Sequence, residues 1–202
     1  MNYYGLLQLL LPETILVLTA LIVLTADLAW FRNTTSVYRS RTIAFLTTIG
    51  CVVALCLLSK PVAVTRLFEG VLVVDPLGQF MKQILVVLTA LTGWLVIESN
   101  FTKHVGEFFT LLLLATVGMM FLVSSENILV IFISLELLSL SLYVMTAFQK
   151  GTIASAEAAL KYFLFGGMSA AFLLFGLSFV YGLSNSTSLP EIAANLRGQS
   201  IA

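Results

Sequence analysis

The sequence predicts an all-α fold: a polytopic membrane protein with six transmembrane helices. Three observations carry that reading. The chain is 59% hydrophobic and only 10% charged, whereas soluble domains run near about 45–50% and about 25%. Six apolar segments each approach the roughly 20 residues that cross a hydrocarbon core of about 30 Å. The connections between them are short. Ten basic and ten acidic residues cancel, which leaves no electrostatic footprint for nucleic acid.

The whole chain reads as a single membrane domain, residues 1–202, with helices at 7–30, 42–58, 78–98, 108–123, 127–148 and 156–181. In the first helix, Pro12 and Glu13 suit a first turn, where a fixed φ and a negative charge are both favourable. Asp27 lies fourteen residues further on, near the other end. Both acids are expected at the membrane interface. The second helix carries Cys51 and Cys56, read as small buried hydrophobes. The connection 59–77 contains LFEGVLVVDPLG, whose Gly, Asp-Pro and β-branched residues indicate turns or a small hairpin. Lys82 and Gln83, early in the third helix, are expected at the outer interface. Glu107 opens the fourth helix as a capping acid beside Lys103 and His104. Residues 124–126 barely separate helices four and five, so those two are antiparallel neighbours. The tail 182–202 turns polar, and its Ser-Leu-Pro-Glu signals a helix start at Ser188 or Leu189.

Loop charges set an expected orientation. Arg32, Arg39, Arg41, Lys103 and Lys150 gather on one side; Lys60, Arg66 and Arg197 fall on the other. The first side should face the cytoplasm or its equivalent, which places the N-terminus on the outer side. Trp30, Phe31 and Tyr38 near one boundary, and Tyr3, Tyr4 and Tyr181 near the other, fit aromatic interface belts. The N-terminus lacks the basic region of a cleavable signal peptide. One histidine and two cysteines give no metal site or disulfide framework. Phosphate loops, nucleophile elbows and zinc motifs are absent from the sequence, so no nucleotide, flavin or iron–sulfur site is expected on this chain.

The informative residues are the polar ones inside apolar spans. Glu136 stands near the middle of LVIFISLELLSLSLYVM, and an ionised side chain at that depth costs about 2.5–3.5 kcal/mol on insertion scales. Burial favours the neutral acid and a nearby cation favours the carboxylate; an acid balanced between them can take up and release a proton. Ser139 and Tyr143, at i+3 and i+7, share its face. The bland reading is a neutral glutamate that glues helices together. Lys161, in AEAALKYFLFGGMSAA, is the natural second member, reached through water or an intervening residue. Its bland reading is a pair with Glu157 at i−4 and a head that snorkels to the interface. Gly166 and Ala170 make a small-xxx-small pair for close helix approach.

Four stretches resemble a known family: LLPETILVLTALIVLTADL, VVDPLGQFMK, HVGEFFTLLLLATVGMMFLVSSENILVIFISLELLSLSLYVM and SAEAALKYFLFGGMSAAFLLFGLSFVYG. Together they are similar to the N-terminal part of the antiporter-like subunit N (subunit 2 in mitochondria) of respiratory complex I, the NADH:quinone oxidoreductase. The resemblance implies that Glu136 and Lys161 belong to a chain of buried charges and water that moves protons across the membrane. It implies an enzyme subunit without a redox site of its own, with flavin and iron–sulfur clusters on partner subunits. Other membrane subunits, the lipid bilayer and a second chain supplying further helices are the implied partners. The bacterial plasma membrane is the expected location, with mitochondrial inner or thylakoid membranes as alternatives. Family members continue as two inverted five-helix repeats, of which these residues hold only the start; the chain is therefore expected to be a fragment or one piece of a split subunit. Two rivals remain: a subunit of a multisubunit cation/proton antiporter, and a purely structural scaffold.

Overall fold

A computed structural model describes residues 9–31, 36–60, 64–97, 104–149 and 151–198. Tyr3, Tyr4, Arg32, Lys103 and Lys150, used above for orientation, lie outside the described residues. Six helices are long and apolar enough to cross a membrane, as the composition required.

Helix α1 spans Leu11–Ala26, with Pro12 in its first turn, and runs on into a π-helical turn, Asp27–Phe31. Helix α2 spans Ser36–Leu58. It begins six residues before the expected Thr42, so Arg39 and Arg41 lie in its first turns and not in a loop. The reason is tertiary: Arg39 is drawn into the bundle by Asp27. A two-stranded antiparallel hairpin follows, β1 (Thr65–Leu67) and β2 (Leu72–Val74), with Thr65 opposite Val74. Its reversal uses a 3-10 turn, Phe68–Gly70, where Gly70 adopts φ 93°, a conformation glycine enters without steric cost.

Helix α3 covers Pro76–Ile97, α4 Val105–Ser124 and α5 Ile128–Thr146. Asn127 caps α5, its side chain accepting hydrogen bonds from the Leu129 and Val130 amides, which satisfies donors that have no partner in the helix. Helix α6, Ile153–Ser184, is capped by Thr152 at one end and by left-handed Asn185 at the other. At 32 residues it is about 48 Å long at 1.5 Å per residue, and it overruns the expected 156–181 on both sides. Helix α7, Leu189–Gly198, starts where Ser-Leu-Pro-Glu indicated.

Helix α4 is the hub. It packs on α1, α2, α3 and α5 and touches β2. Leu16 and Ala20 (α1), Cys51, Ala54 and Leu58 (α2), Val86 (α3) and Leu113, Val117 and Met120 (α4) form one apolar cluster. Val23, Ile43, Ala44, Val105, Phe108, Phe109 and Phe148 form a second, toward the Arg39 end. At the opposite end the hairpin supplies Leu67, Leu72 and Val74. Cys51 is buried but Cys56 is exposed; expecting both to be buried failed because they sit five residues apart, which places them on opposite sides of a helix.

Helix α6 is the opposite case. None of its most apolar 18-residue stretch is buried, against 61% for that of α4, and its main packing partners are α5 and α7.

Candidate functional site

Helix α5 has two faces. Ser134 and Ser141 are buried, and Gly118 of α4 approaches so closely that an added Cβ would lie 2.9 Å from the Ser134 carbonyl. Leu129, Ile133, Leu140 and Val144 are exposed. Glu136 is half-buried and falls between Ile133 and Leu140 at i+3 and i+4, so it belongs to this uncovered stripe. No described residue gives it a hydrogen bond or ion pair.

Tyr143 is where α5 meets α6. It is buried, stacks edge-to-face on Tyr162 and Phe163, and its hydroxyl fills the place a Cβ would take at Gly166. Ser155 adds a hydrogen bond to the Thr146 carbonyl, 2.8 Å. Ser139 is half-buried.

Lys161 and Glu157 form an ion pair, 2.5 Å, with side chains 65% and 58% exposed. The less exposed residues of α6 recur at 155, 159, 166, 170, 177, 180 and 184, which marks the stripe toward α5. Lys161 is two residues off that stripe, about 200° around the helix, and so points away from α5. Lys161 is held by Glu157 on its own helix, and Glu136 has no described partner. The two are not joined directly; any exchange between them passes through intervening groups.

Two further ionic sites lie in the α1–α4 bundle, and both correct the expectation of interface residues. Lys82 of α3 donates to Glu13 Oε1 of α1 at 2.5 Å, with side chains only 5% and 2% exposed. Glu13 is the third residue of α1 and Lys82 the seventh of α3, and both helices start at the hairpin end, so opposite charges reach similar depth. Matching those depths along the sequence was the signal available; hydropathy alone hid it. At the other end, Arg39 makes a two-pronged hydrogen bond to Asp27, and the Gly106 amide donates to Asp27 Oδ2 at 3.2 Å. Glycine is required at 106, because a Cβ there would meet the Asp27 side chain at 2.4–2.5 Å. Gln83 donates to the Leu58 carbonyl, 3.0 Å, tying α3 to the end of α2. Glu107 Oε1 accepts from His104 Nδ1 at 3.0 Å, in keeping with a role at the start of α4.

Six apolar helices, one of them a hub on which four others pack, with ionisable residues at several depths, define the class: a polytopic membrane protein with the antiporter-like fold. Residues 125–201 match the family described as NADH:quinone oxidoreductase/Mrp antiporter, TM. Along its length the chain is similar to the N-terminal part of subunit N of NADH-quinone oxidoreductases. It is 46% identical over 201 residues to NADH-quinone oxidoreductase subunit N 2 of Acidobacterium capsulatum, covering 95% of this chain and 40% of the relative. It is 34% identical over 196 residues to F(420)H(2) dehydrogenase subunit N of Methanosarcina mazei, covering 92% and 39%. In structure it matches a chain of respiratory complex I from Thermus thermophilus with TM-score 0.68 and 29% identity, over 92% of this chain and 41% of that one. A chain of the archaeal membrane-bound sulfane sulfur reductase, at 20% identity and TM-score 0.63, shares the fold. The chain thus spans about two-fifths of the length of the relatives it matches.

Proposed function

We propose that this chain forms the N-terminal part of a proton-translocating membrane subunit in a complex I-type NADH:quinone oxidoreductase, and that Glu136 is its proton-binding switch. One observation carries the reading: Glu136 sits on the stripe of α5 that no described helix covers, in a chain similar along 95% of its length to the first two-fifths of subunit N. Further helices of the same subunit, or of a second chain, pack on that stripe and on α6 and enclose the acid. Water and polar groups there carry protons on to Lys161, which releases Glu157 to tune Glu136 or pass the proton on. Ser139 and Tyr143 supply hydroxyls along the same face.

The chain contributes no redox chemistry in this reading. Flavin and iron–sulfur clusters belong to partner subunits, and the electron donor is a property of those partners; a relative named for F(420)H(2) is as well covered as those named for NADH. The membrane is the bacterial plasma membrane, with the N-terminus on its outer side.

The test is Glu136→Gln in the assembled complex, reconstituted in vesicles. Proton uptake per electron should fall sharply while electron transfer to quinone persists and the subunits co-purify. Undiminished proton uptake refutes the switch. The family description also names Mrp antiporters, so a second reading is a cation/proton antiporter subunit; sodium-stimulated proton flux from a complex lacking flavin and iron–sulfur subunits selects it.

A further inference from the structure

Among the described residues, two buried side-chain atoms lack a hydrogen-bond partner: Oε2 of Glu13 and Oγ of Ser124. Their residues are 2% and 6% exposed. Leaving a buried polar atom unsatisfied is costly, and proteins usually satisfy such groups with internal water. Both atoms lie toward the hairpin end of the bundle, Glu13 in the first turn of α1 and Ser124 at the last residue of α4.

The register of α1 on α4 places them relative to one another. Gly106 meets Asp27 and Thr110 donates to the Ala20 carbonyl, so the antiparallel partner of Glu13 falls near residues 117–120. Ser124 lies about four to seven residues further, roughly 6–10 Å along the axis. A hydrogen-bonded chain of two or three waters has that length. On one side of it, Leu16, Val86, Val117 and Met120 form a dry wall. On the other, Ser125 and Glu126 bind the Val71 carbonyl of the hairpin turn, and Glu126 sits 3.6 Å from a largely exposed Arg66.

We propose that water bound between α1, α3 and α4 bridges Glu13 Oε2 to Ser124 Oγ, so that the Glu13–Lys82 pair is a hydrated site opening toward the hairpin end. It is separate from Glu136 and does not depend on proton transfer there. The site explains how a buried ion pair tolerates an open lone pair: water takes the place that protein donors leave empty.

Solid-state NMR on the full-length protein in lipid nanodiscs tests this by water-to-protein magnetisation transfer. The Glu13 side-chain carbon, assigned through its Thr14 neighbour, should build up signal as quickly as Glu126 and several-fold faster than Leu113. Ser124→Val should slow the Glu13 build-up several-fold with helical content unchanged. Should that variant not fold, Ser124→Ala removes the same hydroxyl with less bulk and is read the same way. A Glu13 signal as slow as that of Leu113, or one indifferent to loss of the Ser124 hydroxyl, overturns the proposal.

Discussion

Glu13 with Lys82 and Glu136 with Lys161 are both acid–lysine combinations inside apolar helices, yet the fold treats them oppositely. The first is a directly bonded pair, 2–5% exposed and 2.5 Å apart, between helices held on a common hub. The second is open: the acid has no described partner, and the lysine turns toward its helical neighbour Glu157. The difference follows from what surrounds each. Glu13 and Lys82 lie on the buried faces of α1 and α3, whereas Glu136 lies on an uncovered stripe of α5 and α6 is exposed along most of its length. A charge whose partner is fixed by packing acts as a brace; a charge on an uncovered stripe is free to be completed by another element.

The comparison can be broken most severely at Lys82. Lys82→Met strands the Glu13 carboxylate in the bundle and should cost about 3–5 kcal/mol, whereas Glu13→Leu together with Lys82→Met should be nearly neutral or stabilising. Unfolding of the purified protein by denaturing detergent measures both. Next is Gly106→Ala, whose methyl collides with Asp27 and should destabilise by about 1–3 kcal/mol, with the Arg39–Asp27 contact displaced in the variant structure. Asn127→Ala removes the α5 cap and should cost about 1 kcal/mol in the same unfolding measurement. At the open site the effects on stability should be smallest. Glu136→Gln, which removes no described bond, should stay within about 0.5 kcal/mol although proton uptake collapses. Glu157→Gln, which loosens an exposed pair, should cost about 0.2–1 kcal/mol. A large loss of stability in Glu136→Gln would make it a brace like Glu13 and remove the contrast.

Much of the architecture was legible because lipid imposes strong rules: backbone groups must be satisfied within the span, so long apolar segments become helices. The hairpin around residues 65–74 and the start of α7 were likewise readable from turn residues and from Ser-Leu-Pro-Glu. What hydropathy could not rank was Lys82, Glu13 and Asp27. Each lies near a helix end, where snorkelling to the interface is the cheaper default. Their burial depends on a partner from a helix distant in sequence: 69 residues separate Glu13 from Lys82. The same limit applied to Glu136 and Lys161, whose spacing along the chain says nothing of the side of α6 on which the lysine emerges.

By itself, then, the sequence determined that this is a six-helix membrane chain with an acid deep in its fifth helix, because apolar length and charge placement are local properties with large solvation energies behind them. Only the tertiary structure decided which charges meet. Ion pairing depends on angular position and depth to within a few ångströms, and these come from helix packing around α4, which brings Asp27 to Arg39 at one end and Glu13 to Lys82 at the other and leaves Glu136 facing outward.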